Sequence, residues 1–301
     1  YFGRGSFESN ILDIFGTPDP TSQGVTGFLY PFGSPNGTGV SSICAVSYNL
    51  LAPLPTIGTP MHALYPDFEN SNLIVIWGTN PTTDSPPDKV KKILSGKKQG
   101  AKVIVIDQMR SAMAKLADEW IGIRSGTDGA LALSLLHVII NEGRYDKDFV
   151  REWTKGFEEL RAYVQHFPPE QVEKITRVPS YTIVRLARSI SGTQGASLLM
   201  YTGLEYSNCG VQSIRAALSL WAITGNLDTP GGLVFRPRNP TKFPRIRLEP
   251  PQGVKPIGAD KYPYFCEVLK SAQFMEAPRA ILDGDPYPVR ALLVFGASLL
   301  T

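Results

Sequence analysis

Cysteine and histidine are scarce: three of each stand among 301 residues. Cys44, Cys209 and Cys266 are far apart, odd in number and form no CxxC pair, which argues against a zinc ribbon or a disulfide framework. His62, His137 and His166 show no ligand spacing, and no Ser/His/Asp set can be argued from spacing. His137 lies in an apolar stretch and reads as a satisfied core histidine. No apolar run reaches the roughly 18 residues that span a membrane. The longest, Ala130 to Ile140, reads as a core helix, so no membrane insertion by this chain is expected. A net charge of +3 carries no basic cluster of the kind that marks a nucleic-acid footprint, so nucleic acid is not an expected partner. The densest basic patch, Lys91–Lys92 with Lys97–Lys98, reads as the solvated face of a helix. GxGxxG is absent, which disfavours ordinary NAD binding.

What is present is an α/β pattern. Leu73–Pro81, LIVIWGTNP, is an apolar run too short for a helix that enters a Gly-Thr-Asn-Pro turn, and it reads as a buried strand. The turn sits where open α/β sheets bind ligands, beyond the carboxyl end of a strand. Val103–Asp107, VIVID, repeats the pattern and ends in a carboxylate. The stretch from Asp88 to Gly96 between them has helical character. Strand, helix, strand is a βαβ unit with nearly forced handedness and parallel pairing. The fold class expected is α/β, with a Rossmann-like parallel sheet.

Tyr1 to Pro60 is rich in Gly, Pro, Ser and Thr yet carries Phe28, Leu29, Tyr30, Phe32 and Ile43, so it reads as a binding segment rather than disorder. Ser6 to Ile14 is a candidate short helix. Ser41 to Tyr48 is another, with Cys44 near its start. Ser125-Gly126-Thr127-Asp128 reads as a loop feeding the helix through Ile140, which Gly143 stops. Tyr145 to Ser191 reads as mostly helical over Asp148–Lys155, Phe157–Gln165, Pro169–Thr176 and Ser180–Ser191, broken by Pro168, Pro169 and Pro179. Ala196–Thr202 reads as a strand ending at Gly203, Gln212–Thr224 as a helix, Arg236 to Asp260 as an extended loop, and Ala291–Phe295 as a last strand. The chain opens at Tyr1 without Met and ends just after that strand and its turn, so we read it as a piece of a longer protein.

Several residues are candidates for chemistry, each with a plain structural reading beside it. Gly78, Thr79 and Asn80 offer amides and close backbone approach at a strand tip, but such turns are also common αβ loops. Asp107 suits a ribose diol. Asp128 suits the N1 and N2 donors of a guanine, or is a carboxylate favoured in the first turn of a helix. Cys44 near a helix start is a candidate thiolate ligand for a soft metal, or a small core residue. Cys209 and Cys266 read as core.

Together, SNLIVIWGTNPTTDSP (71–86), AKVIVIDQMRSAMAKLADEWIGIRSGTDGALAL (101–133), GVQSIRAALSLWAITGNLDTPGG (210–232) and RALLVFGAS (290–298) resemble the molybdopterin-dependent oxidoreductases of the dimethyl-sulfoxide-reductase type. The resemblance implies a bis(molybdopterin guanine dinucleotide) cofactor carrying molybdenum or tungsten. It implies two-electron transfer at the metal, with oxygen or sulfur atom transfer on a small-molecule substrate. By resemblance, Gly78, Thr79, Asn80, Asp84, Asp107 and Gly203 are cofactor contacts, Gly126, Thr127 and Asp128 hold the guanosine end, and Gly296 and Ser298 form a second strand tip. Cys44 falls at the metal ligand, and Arg236 in an active-site funnel.

The chain departs from the pattern in places. Gln108 stands where Pro is usual, and Ala297-Ser298-Leu299 where Gly-Asn-Pro is usual. Ala45 follows Cys44 where formate dehydrogenases of the family have His, which points away from formate. The GSPN segment (33–36) is more similar to the thiosulfate and polysulfide reductase branch. The resemblance implies residues 41–287 as the guanine-dinucleotide domain, with 1–40 and 288–301 in a second, split α/β domain. A 4Fe-4S cluster belongs to a family segment outside this sequence. An iron–sulfur electron-transfer subunit and a membrane-anchor subunit are the implied partners, in a prokaryotic cytoplasm or in the periplasm or cell exterior. A metal-free structural or electron-wiring subunit, and a simple nucleotide-binding α/β module, remain as alternatives.

Overall fold

The structure is a computed structural model that describes residues 28–39, 42–44, 46–84, 87–235, 249 and 251–294. The chain divides into two compact units, Ser47–Pro237, and Tyr1–Val46 with Arg238–Thr301. The resemblance-based division falls instead at 40/41 and 287/288.

The Ser47–Pro237 unit is built on a parallel sheet of β2 (Leu73–Trp77), β3 (Lys102–Asp107), β4 (Glu119–Gly122) and β5 (Ala196–Met200), in the order β4-β3-β2-β5. Between β2 and β3 run α1 (Pro81–Asp84) and α2 (Pro87–Lys98), and α3 (Ala112–Leu116) leads into β4. Then come α4 (Asp128–Asn141), α5 (Pro169–Thr176), α6 (Ser180–Ser191) and α7 (Gly210–Ile223). A separate antiparallel pair joins β1 (Leu64–Pro66) to β6 (Leu233–Phe235).

Period two along the strands divides the core into two layers. Leu73, Val75 and Trp77 of β2, with Ile104 and Ile106 of β3, pack towards α4, α6 and α7. Ile74, Ile76, Val103 and Val105 pack the other way, with Ile93 of α2 and Met113 of α3. Every residue of β2 and of β5 is buried, the near-continuous apolar reading of strands covered on both faces. α4 is the central helix of its layer and packs against α5, α6 and α7.

Where α2 meets the turn Phe68–Asn70, a glycine lets the two backbones touch. A Cβ on Gly96 would strike the Phe68 carbonyl oxygen and lie 3.1 Å from its carbon. Gly→Ala in an exposed helix stabilises by about 1 kcal/mol. Here overpacking reverses the sign, and we expect Gly96→Ala to destabilise by roughly 2 kcal/mol in a chemical-denaturation measurement.

The second unit has α8 (Pro263–Leu269), α9 (Ala277–Leu282) and a small core of Ile257, Ala272 and Ala280. Asn36 ties its two segments together. Its Nδ2 donates to the Tyr287 hydroxyl (3.0 Å), and its Oδ1 accepts from the Ile257 amide (2.9 Å). Tyr287 in turn donates to the Lys255 carbonyl (2.7 Å).

Three expectations are corrected. Ala291–Val294 form no strand, having no ladder partner among the described residues; Phe295 lies outside them. Cys44 is not in the first turn of a helix. It sits in a bend, and the helical stretch begins after it, as a π-helical turn Ser47–Leu51 whose first amides are bound by a side chain, Glu205 Oε1 (2.8 Å to Ser47 N). Cys209 is exposed, in the loop that opens α7, not in the core. Cys266 is buried, and burial pushes its thiol pKa up. The candidate helix Ser6–Ile14 lies outside the described residues. His137 is satisfied: Nδ1 lies 2.9 Å from the Val164 carbonyl and Nε2 lies 3.1 Å from the Asn141 amide.

Candidate functional site

Chain order reverses between β2 and β5, since β3 and β4 add on one side of β2 and β5 on the other. That is the topological switch point of the sheet, where open α/β folds leave a crevice beyond the strand ends. Beyond the strand ends lie Gly78, next after β2, and Gly203, which is not at the end of β5 as expected but in the short helix Thr202–Glu205 that follows it. Gly203 N donates to Gly78 O (2.9 Å), and Gly78 N donates to Ile106 O (2.9 Å), so three strand ends are joined through backbone. Gly78 has φ +60, and a Cβ on Gly203 would lie 2.6 Å from Gly78 Cα. Both glycines are therefore needed for the strand tips to meet.

The next residues are spent largely on local turns. Thr79 is buried. Asn80 Oδ1 accepts from Thr82 Oγ1 (2.7 Å) and more loosely from Met113 N (3.4 Å), and its Nδ2 donates to Thr83 (3.0 Å), linking α1 to α3. Asp84 is the last residue of α1. At the tip of β3, Asp107 Oδ1 accepts from Met109 N (3.0 Å), and its carbonyl accepts from Trp120 Nε1 (3.0 Å). Gln108 accepts from Ser125, joining this tip to the loop before α4.

That loop ends in the polar group with the strongest environment. Gly126 takes φ +75, and Thr127 Oγ1 donates to the Arg124 carbonyl (2.6 Å). Asp128 opens α4 and is buried. Trp77 Nε1, from the α4-facing side of β2, donates to its Oδ1 (2.8 Å). Burial pushes the Asp128 carboxyl above the usual aspartate range. The Trp77 hydrogen bond and its own backbone N–H pull it down, and the negative charge of Asp107 adds to the rise. A carboxylate can accept about four hydrogen bonds, so this one keeps acceptor capacity for a ligand presenting paired donors.

Gly78, Thr79, Asn80, Asp107, Gly126, Thr127, Asp128 and Gly203 thus belong to one unit and cluster around the carboxyl ends of β2, β3 and β5. Cys44 lies in the other unit, half-buried. Arg236, Gly296 and Ser298 lie outside the described residues. Among the described residues no group of three His, Cys, Asp or Glu side chains could hold a metal. A metal at Cys44 would therefore take a single thiolate from the described chain and its other ligands from a carrier, which is the donor set a dithiolene-bearing pterin completes. Trp77 and Glu205 were missed from the sequence. Trp77 had a signal, since its place in the period-two run puts it on the side of the helix that follows the Gly-Thr-Asp loop.

A parallel α/β domain whose polar and glycine residues gather at the switch point has the architecture in which open α/β sheets bind ligands. The profile of the molybdopterin oxidoreductase family matches residues 31–298, and the chain belongs to that family, in its dimethyl-sulfoxide-reductase type. Membership implies a molybdopterin cofactor with molybdenum or tungsten. Among its relatives, "Probable oxidoreductase YoaE" of Bacillus subtilis (strain 168) is 31% identical over 230 residues, 76% of this chain and 32% of that protein. Formate dehydrogenase H of Escherichia coli (strain K12) is 38% identical over 164 residues, 54% and 23% of the two chains. The solved acetylene hydratase from Pelobacter acetylenicus superposes with a TM-score of 0.65 at 31% identity, covering 70% of this chain and 28% of that one. The chain thus spans about a third or less of the length of these proteins. Among the described residues no helix is long and apolar enough to cross a membrane.

Proposed function

We propose that this chain is part of the catalytic subunit of a molybdenum or tungsten oxidoreductase, and that the cluster at the β2, β3 and β5 tips holds the guanosine end of a molybdopterin guanine dinucleotide. The observation that carries this is Asp128: a buried carboxylate at a helix start, with one side-chain donor and spare acceptor capacity, beside the switch point. When bound, the cofactor supplies two-electron redox chemistry with oxygen or sulfur atom transfer. The chain's part is to grip and orient it. Asp128 accepts from the base, Asp107 binds a ribose, and the Gly78–Gly203 tips let backbone come close. Thr79, Asn80 and Asp84 complete that turn, with Gly126 and Thr127 beside the base. Gly296 and Ser298 are read by the family resemblance alone as contacts of the paired cofactor, Arg236 likewise as a residue near a small-molecule substrate, and Cys44 as the metal thiolate.

The guanine-dinucleotide domain is residues 41–287, with 1–40 and 288–301 in the split domain. Electrons leave through a 4Fe-4S cluster and an iron–sulfur subunit outside this sequence, with a membrane-anchor subunit as a further partner. The GSPN segment favours the thiosulfate and polysulfide reductase branch. Of its residues Asn36 is already committed to fold, through Tyr287 and Ile257.

The test is elemental analysis of the full-length gene product with assay of released nucleotide. Molybdenum or tungsten with guanine nucleotide in molar excess over the metal, one from each half of a paired cofactor, is the expected result. Iron with neither metal and no guanine nucleotide would identify an electron-wiring subunit instead. Guanine nucleotide with no pterin would identify a simple nucleotide-binding module. Cys44→Ala is expected to leave the pterin bound and to change the metal's X-ray absorption and electronic spectra. An unchanged sulfur coordination would remove Cys44 as ligand.

A further inference from the structure

Three described tryptophans spend their indole N–H on named partners, and one differs from the others. Trp221, fully buried, donates to the Ala196 carbonyl (2.8 Å), and Trp120 donates to the Asp107 carbonyl (3.0 Å). These are backbone acceptors, the ordinary answer for an indole whether buried, as Trp221, or exposed, as Trp120. Trp77, also fully buried, donates instead to an ionisable side chain, Asp128 Oδ1.

We propose that Trp77 is a positioning residue for guanine recognition: its indole N–H, delivered from the tip of β2, holds the Asp128 carboxylate in the orientation that accepts the two donors of a guanine edge. The proposal rests on the reading of Asp128 as the guanine acceptor and deepens it to a specificity device. A guanine presents N1–H and N2–H side by side, and a carboxylate matches both. An adenine presents an acceptor beside its exocyclic donor and is refused. The match requires the carboxylate plane to be fixed, yet the terminal torsion of an aspartate is broad and weakly held. Among the described residues Trp77 is the only side-chain donor to Asp128, the other donor being the residue's own backbone N–H. It is itself immobile, packed in the core layer beneath α4.

The same bond acts on charge. From the packed elements, β3 contributes Asp107, whose charge opposes ionisation of Asp128, and β2 contributes Trp77, whose N–H favours it. From α7, Ser213 packs against Gly129 and brings no charge. Without the indole N–H, Asp128 takes up its proton at a higher pH, and a protonated carboxyl cannot accept both guanine donors.

The experiment uses the full-length protein purified with its cofactor. Residue 77 is replaced by 3-benzothienylalanine, which keeps the bicyclic shape and lacks the N–H, and separately as Trp77→Phe. Release of guanine nucleotide is followed by chromatography against time and pH. The expected result is release about tenfold faster at neutral pH, the loss of one hydrogen bond to a charged group. The acid midpoint of release moves to higher pH. Asp128→Ala releases faster still, and adding the analogue to it changes nothing more. Trp77→Phe shows the same pH shift on top of a lower melting temperature. Release at the unaltered rate with an unaltered pH profile in the analogue protein, while Asp128→Ala loses nucleotide, would overturn the proposal and leave Trp77 a core residue. Full retention by Asp128→Ala would instead remove the guanine reading itself, and the proposal with it.

Discussion

Gly203→Ala should lower stability by about 3 kcal/mol or more, at the upper end of what overpacking costs. The added methyl would strike the Gly78 carbonyl oxygen and sit 2.6 Å from Gly78 Cα. Both are backbone atoms of the half-buried residue that follows the buried strand β2, whose path is held by the Gly78 N bond to Ile106 O, so the contact has little room to yield. For a domain of this size that is a fall in melting temperature of roughly 10 °C. Gly126→Ala is the control. Its φ of +75 strains an L-residue by about 1–2 kcal/mol, but the nearest atom, Ser207 Cβ, is 3.8 Å away. Gly203 itself has no positive φ, so a loss in calorimetry no larger than that of Gly126→Ala would show that the contact with Gly78 relaxes and does not require glycine at 203.

Asp128→Asn should separate binding from stability, moving them in opposite directions. An asparagine offers one acceptor and one donor, so its amide meets a guanine donor head-on. Retention of guanine nucleotide should fall about a hundredfold, since hydrogen bonds to a charged acceptor are the strong ones. The cofactor-free protein should melt higher at neutral pH. Burial holds the Asp128 carboxyl above its unfolded value, so in the folded state it binds protons more readily than in the unfolded chain. Stability of the wild-type protein therefore falls as pH rises through the window from the ordinary aspartate value to the raised one, and the cost is fully present above it. Asparagine carries no such cost, while Trp77 still finds an oxygen to donate to. Melting curves against pH should converge for the two proteins at acid pH and diverge above. A neutral-pH melting point lower than wild type would show that the carboxylate contributes to the fold.

The sequence made the sheet's centre legible because β2, Val103–Ile106 of β3 and β5 are buried and read as nearly continuous apolar runs. The limits of α5 and α6 were legible because Pro169 can only open a helix and Pro179 precedes one. The edge strand β4 was not, since only Ile121 of its four residues is buried and its pattern resembles the helix before it. Nor was the pairing of β1 with β6, three-residue strands that meet across most of the unit. Of the candidate site, Gly78, Asp107 and Asp128 stood out as strand-tip and helix-start residues. The Trp77–Asp128 bond did not, because it joins residues 51 apart through a direction that the period gives only once α4 is placed.

The Ser47–Pro237 unit is one uninterrupted run of chain, whereas the other unit needs both ends. Asn36 waits for Ile257 and Tyr287, the latter 251 residues further on. On a ribosome that makes the order of events unequal. The inner unit has every partner it needs once residue 237 has emerged, and domains generally fold as units during synthesis. Tyr30, Asn36 and Thr38 lack their long-range partners through all of that time, and those closing contacts carry the long-range loop cost that slows folding. The described residues around Asn36 are thus made before the Ser47–Pro237 unit and find their partners after it.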